Sequence, residues 1–366
     1  MFTISGVGFG RAVLAIRNVA TALVVVAVVA GCGSPEDKAA RHFERALEHV
    51  EAGDDARAMI ELRNVLRLDE KHAEALYQVG LLHERAERYP QALQALQAAA
   101  AERPGYLDAN MRIGELALLA GEVDMAADAA AEILEAHPDE RDARTLDAAA
   151  MLRRGDLERA EDRADAVLAE ESTHANAVAV KVGVLHARGR TESALAALAA
   201  GIARIPESVD LRLLQIALLE QAGDAAAARE AYADLVELEP DVASHRVALA
   251  RFFERQGDAL AARTVLREAL DDLEASEGLG ERLVALIYRE EGADAADEEL
   301  RRLLAADPGE QRYRFLRAEL LLRQGRVEDA QAVLETITEQ GSDAERHDAR
   351  AAIARLRLGA DDVDRS

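Results

Sequence analysis

Tryptophan is absent from this 366-residue sequence, aromatic residues make up only 3% of it, and there is a single cysteine. Aromatic side chains supply much of the bulk of ordinary globular cores. A chain that is 50% hydrophobic without them fills its interior with alanine, leucine and valine, which suits thin layers of closely packed helices. One cysteine excludes an intramolecular disulfide and leaves the thiol of Cys32 to be explained. Basic residues are scarce as well: 44 Lys and Arg stand against 69 Asp and Glu, a formal net charge of −25. Nucleic acids and anionic lipid surfaces are gripped through basic footprints, so both are disfavoured as partners. The acidity reads as the solvated exterior of helices. Prolines number seven, too few to break the chain often, so their positions are informative.

Patterns that carry catalysis are missing too. Nine histidines are scattered along the chain; His42 and His49 are too far apart for an i, i+4 pair, and no H-E-x-x-H occurs. They read as surface or packing residues. Beyond a G-V-G-F-G run near the start, the glycines are too dispersed to cradle a phosphate, and carboxylate pairs carry no information in so acidic a chain. The expectation is a protein that is not an enzyme and takes no cofactor or metal.

Residues 1–31 do not read as part of a fold. Arg11 and Arg17 precede an apolar run from Val19 to Gly31, shorter than the roughly 20 residues that span a bilayer. Such a run fits the h-region of a signal peptide. It ends in Val29-Ala30-Gly31-Cys32, which resembles the lipobox of bacterial lipoproteins, with Val29 in place of the usual leucine. The resemblance implies that Cys32 is acylated and becomes the first residue of the mature chain. Several acyl chains on one residue suffice for stable anchoring. By the same resemblance, Gly33 in place of Asp implies the periplasmic face of the outer membrane. A short linker, 32–38, follows.

What fills the rest is a repeat. Pro104, Pro138, Pro206, Pro240 and Pro308 are separated by multiples of 34 residues. So are Gly53, Gly121, Gly155, Gly189, Gly223, Gly257, Gly325 and Gly359; Glu87 and Glu291 occupy the empty slots, with Gly292 beside the second. Ala58, Ala92, Ala126, Ala160, Ala194, Ala228, Ala262, Ala296 and Ala330 fill every slot of a third series. The glycine permits the turn between two helices. The alanine, five residues on, marks where the helices cross too closely for a larger side chain. The proline ends the second helix. A small residue faces the alanine from the first helix, as Ala46, Gly80, Gly114, Ala148, Ala250 and Ala318, but Val182, Ile216 and Val284 replace it elsewhere, which predicts looser or shifted packing there.

This pattern resembles the tetratricopeptide repeat, a 34-residue helix–turn–helix. Leu76, Gly80, Tyr89, Ala92, Leu96, Ala99 and Pro104 carry the resemblance most fully. It implies an all-α, right-handed α-solenoid of nine units over 39–344, starting near 39, 73, 107, 141, 175, 209, 243, 277 and 311. A capping helix over 345–358 shows Arg346, His347, Arg350, Arg355 and Arg357 to water, and a disordered tail covers 359–366. The absence of linkers predicts a single array.

The resemblance also implies that a protein or peptide partner lies on the concave face, at unit positions 2, 5, 9, 12 and 13. Near the start these are acidic or apolar: Glu74, Tyr77, Glu84, Asp108, Met111, Glu115 and Asp142. Towards the end they are Arg251, Arg255, Tyr288, Arg289, Arg312, Phe315 and Arg323. Two readings stand. Either the arginines receive an acidic segment, or they pair with Glu254, Glu281 and Glu319. The Lys/Asn clamp of chaperone-binding relatives is absent. The hairpin from Asp55 to Leu66 resembles the opening hairpin of tetratricopeptide lipoproteins linked to exopolysaccharide and PEP-CTERM/exosortase systems. That implies a scaffold or adaptor in envelope assembly or export. The alternatives are a regulator of a peptidoglycan hydrolase or synthase, and an outer-membrane protein or pilus assembly factor. The oligomeric state stays open.

Overall fold

A computed structural model describes residues 34–273 and 278–363, with side chains to residue 355. Residues 1–31, read from the sequence as a signal peptide, together with Cys32, Gly33, residue 277, the side chain of Arg357 and the last three residues, lie outside the described part. Among the described residues there are nineteen helices and no strands. None of these helices is long and apolar enough to cross a membrane.

The helices alternate as first and second members of nine hairpins. They are α1 (Pro35–Glu51), α2 (Asp55–Leu68), α3 (Ala73–Arg85), α4 (Tyr89–Glu102), α5 (Leu107–Ala120), α6 (Val123–Ala136), α7 (Arg141–Arg154), α8 (Leu157–Glu170), α9 (Ala175–Ala187) and α10 (Thr191–Arg204). Then follow α11 (Val209–Ala222), α12 (Ala225–Leu238), α13 (Ala243–Arg255), α14 (Ala259–Asp272), α15 (Leu279–Glu291), α16 (Ala293–Ala306), α17 (Gln311–Arg323), α18 (Val327–Gln340) and α19 (Asp343–Val363). The chain divides into two compact units that meet between Ala197 and Leu198, inside α10.

In the first unit the hairpins start with α1. Its entry is a capping box: the Ser34 hydroxyl accepts from the Asp37 amide at 3.1 Å, and the Asp37 carboxylate accepts from the Ser34 amide at 2.9 Å, with Pro35 opening the helix. The helix therefore begins four residues before the expected 39, and the 32–38 linker shrinks accordingly. His72 and His174 cap α3 and α9, each accepting through Nδ1 from the amide three residues on, at 3.2 and 3.3 Å. Two histidines read as surface or packing groups are thus N-caps, doing the work more often given to Ser or Asp.

Each second helix buries one stripe. In α2 it is Ala58, Leu62 and Val65, in α4 Ala92, Leu96 and Ala99, all fully buried. All nine alanines of the series are at 0% exposure, so this position is the fixed point of every hairpin. The facing small residue is needed for two different reasons. A Cβ on Gly80 would lie 2.7 Å from Cγ of Leu96 within its own hairpin, whereas on Gly114 it would strike Leu146 of α7, the next hairpin. The glycines between helices have positive φ, 71° at Gly53 and 80° at Gly121. In the slot without glycine, Glu87 takes that conformation itself, with φ 56°.

In the second unit the same stripe recurs, as Ala262, Leu266 and Ala269 in α14 and Ala296, Leu300 and Leu303 in α16. Gly292 (φ 92°) stands in for the glycine missing at Glu291, one residue late, and closes α15 while opening α16. Tyr313 lies against Gly280, where a Cβ would meet its ring at 2.5 Å. Val284 is nearly buried in place of the usual small residue, and a cavity borders it. The last helix covers the ninth hairpin with Ala349 and Ile353 and shows His347, Arg350 and Arg355 to water. It runs Asp343–Val363, beyond the expected 345–358 and through most of the expected tail. A lone glycine such as Gly359 costs a helix only about 1 kcal/mol, too little to end it among alanine and leucine.

Candidate partner-binding groove

The first helices supply the candidate groove, and it is described unit by unit. In the first unit Tyr77 is half-buried against Tyr106, with ring centroids 5.4 Å apart, and burial raises its hydroxyl pKa. Glu84 accepts a two-pronged contact from Arg112, one prong at 2.8 Å, and Arg112 also reaches Glu115. The hydrogen bonds Arg112 donates to Glu84 raise the pKa of its guanidinium. Met111 is half-buried. Glu74 takes Arg103 at 3.0 Å, and Asp142 takes His174 at 3.1 Å. Two arginines, Arg103 and Arg112, thus serve Glu74, Glu84 and Glu115, and these residues keep a negative balance.

In the second unit, the arginines fall into an order that the sequence positions alone do not reveal. Arg255 of α13 reaches back to Glu220 of α11 and stands beside the Tyr232 hydroxyl, which itself donates to Glu220 at 3.3 Å. Arg289 of α15 reaches back to Glu254 of α13 at 3.2 Å and also holds Glu290 at 2.9 Å. Glu254 accepts Arg282 as well, at 2.9 Å. Arg323 of α17 repeats the move one hairpin on, but the group it meets is the Tyr288 hydroxyl; its carboxylate is Glu319 on its own helix, at 2.7 Å. Each of these arginines follows its partner by 35 residues, one repeat plus one, so the pairs form a ladder whose third rung lacks an acid. Arg312 is engaged by Glu310 at 3.2 Å and Glu281 at 3.8 Å. Arg251 meets no carboxylate among the described residues. Phe315 packs into the core of the last hairpin with Leu334, Ile337 and Ile353, and its ring belongs to that core more than to the groove.

Two cavities open on this face. One, of about 230 Å³, lies between α15 and α17; Val284, Ala285, Leu316 and Leu320 form its apolar wall, and Tyr288, 41% exposed, stands at its edge with Arg323. The other, of about 620 Å³, is walled by Ser244, Val247, Arg251, Arg255 and Leu279. Neither brings together groups poised for general acid–base or nucleophilic chemistry, and no cluster of metal ligands occurs among the described residues.

Tetratricopeptide-repeat family models match residues 77–141 and 213–278 in one case and 289–356 in another. Among solved structures, a tetratricopeptide repeat protein from Parabacteroides merdae ATCC 43184 is 17% identical and superposes with a TM-score of 0.51, over 68% of this chain and 98% of its own. PilW, described as a widely conserved type IV pilus biogenesis factor, is 18% identical (TM-score 0.47, 58% of this chain and 98% of that one). YrrB, described as having an unusual peptide-binding site, is 21% identical (TM-score 0.41, 47% and 88%). No curated protein matches the sequence significantly. The matched segments together span more than half of the residues, the alanine crossings are all sealed, and on both counts the chain belongs to the tetratricopeptide-repeat family.

Proposed function

We propose that this chain is a lipid-anchored scaffold of the bacterial envelope whose first-helix face in the second unit holds a segment of a partner protein during envelope assembly or export. Tetratricopeptide proteins act as protein-interaction scaffolds, and the observation that supports the location is the apolar cavity between α15 and α17. An apolar wall that ends at a half-exposed tyrosine and an arginine is the composition of an interface anchor. The lipid anchor and the periplasmic side of the outer membrane rest on the run from Val19 to Cys32 and on Gly33.

A photoreactive amino acid placed at Tyr288 is expected to capture a discrete partner in cells, while the same group at exposed Leu260, on a second helix, captures none. Equal capture from both positions, or none from Tyr288, overturns the groove. Metabolic labelling with a fatty acid is expected to mark the native chain and spare Cys32→Ala; an unlabelled native chain removes the anchor.

A further inference from the structure

The groove arginines of the second unit differ in how free they are, and this narrows the chemistry of the segment they receive. Arg289 is held by Glu254, which is mostly buried and also accepts Arg282, whereas Arg255 is held by the more exposed Glu220. Pulling Arg289 away would strand a carboxylate in a poorly solvated place. The carboxylate that holds Arg323 is exposed Glu319, four residues back on its own helix, and such solvent-exposed pairs are weak. Arg251 is exposed and has no partner among the described residues. It stands on the stripe Ser244, Val247, Ala248, Arg251, Arg255, whose spacings of three and four put all five on one helix face, and all five line the larger cavity.

Among the described residues that line that cavity the formal charge is positive, Arg251 and Arg255 against Glu220. The remaining charge of the protein is acidic, but at physiological salt its reach is about 8 Å. A guanidinium without a partner, a hydroxyl on the same face and an apolar wall from Val247 and Leu279 are complementary to one class of group, a carboxylate next to an aliphatic side chain.

Resting on the groove reading above, we propose that this cavity is a carboxylate-recognition site, in which Arg251 and Ser244 hold an Asp or Glu of the partner segment while Val247 and Leu279 seat its neighbouring apolar residue. Arginine serves here because its planar fork donates two parallel hydrogen bonds to a carboxylate, which lysine does not. The aliphatic neighbour gives the site a preference over acidic residues in fully polar sequence.

The test is selection of a phage-displayed random dodecapeptide library on the full chain, followed by binding of the enriched synthetic peptides to variants. Enriched sequences are expected to place Asp or Glu beside Leu, Ile or Val. Arg251→Glu is expected to weaken them about ten-fold or more, and Arg251→Lys by less. Arg190→Glu, an equal charge change at an exposed turn of the first unit, is expected to leave binding unaltered. Peptides without acidic residues, or peptides that bind Arg251→Glu as well as the native chain, overturn the carboxylate site and leave the groove standing. A library from which nothing is enriched overturns both.

Discussion

Glu87 is the residue other than glycine that takes a positive φ among the described residues, and the strain there is measurable. It fills the glycine slot of the second hairpin at φ 56°. In that conformation Cβ crowds the following carbonyl, at a cost of about 1–2 kcal/mol for an L-residue. Glu87→Gly removes the strain but adds freedom to the unfolded chain, which takes back about 0.4–1 kcal/mol. The side chain is exposed, so little contact is lost. The net expectation is a gain of about 0.5–1 kcal/mol. Gly121→Ala is the mirror experiment: φ is 80° and an added Cβ meets nothing within 4 Å, so only backbone strain enters, and a loss of about the same size is expected. Stacked repeats do not unfold in one step. The readout is therefore native-state amide exchange of α3 and α4, slowed about two- to five-fold in Glu87→Gly and quickened to a similar degree in α5 and α6 of Gly121→Ala. Faster exchange in Glu87→Gly, or a change of the same sign in both variants, refutes the account.

Asp297 is fully buried yet accepts Arg301 at 2.6 Å and Arg317 at 2.6 Å, with Arg326 at 3.7 Å; Asp297→Asn is expected to cost α16 and α17 about 3 kcal/mol of protection, because these cations lose a shared counter-charge, while Arg301→Ala, more than half exposed, costs about 0.5 kcal/mol. Burial alone would raise the Asp297 pKa, but the hydrogen bonds from Arg317 and Arg301 outweigh it and hold it below 3.8, so this stabilisation is complete above the unfolded value and disappears as pH falls through the folded one. Hydrogen bonds from Arg45 and His42 lower Glu61 from 4.5 to about 2, so protection of α1 and α2 is expected to decline as pH falls from 4.5 towards 2, and Glu61→Gln to flatten that part of the profile. Gly80→Ala drives a methyl to 2.7 Å from fully buried Leu96 and is expected to cost about 1–3 kcal/mol, read as faster exchange in α3 and α4.

The fold was legible because its constraints are steric and recur at one spacing. An alanine at a helix crossing and a glycine at a left-handed turn each exclude nearly every alternative, so the residue type reports the geometry. What failed to show were features set by less exclusive chemistry. His72 and His174 as N-caps resemble any other polar residue before a helix, and Ser34, Pro35 and Asp37 at the start of α1 have the composition of a linker as much as of a capping box. Gly114 shows the limit within the steric class itself. Its slot in the repeat is that of Gly80, but the side chain it makes room for, Leu146, comes from the following hairpin.

The groove was legible as a set of positions and illegible as a set of free charges, for a reason tied to how repeats stack. On one helix an arginine finds acids three or four residues away, and the pair from Glu319 to Arg323 follows that rule. Between successive first helices the partners lie about one repeat apart: Glu220 and Glu254 stand 35 residues before Arg255 and Arg289, and Glu84 and Glu254 stand 28 residues before Arg112 and Arg282, all far outside any local window. Applied to the sequence, the spacing of 35 picks out Arg255 and Arg289, and that of 28 picks out Arg112 and Arg282. The rung that would continue the ladder carries Tyr288 where the two before it carry glutamate. A phenol leaves the Arg323 charge uncancelled across the helices and presents an aromatic edge to the cavity between α15 and α17. The place where the structural pairing stops is therefore the place where the groove has something to offer a partner.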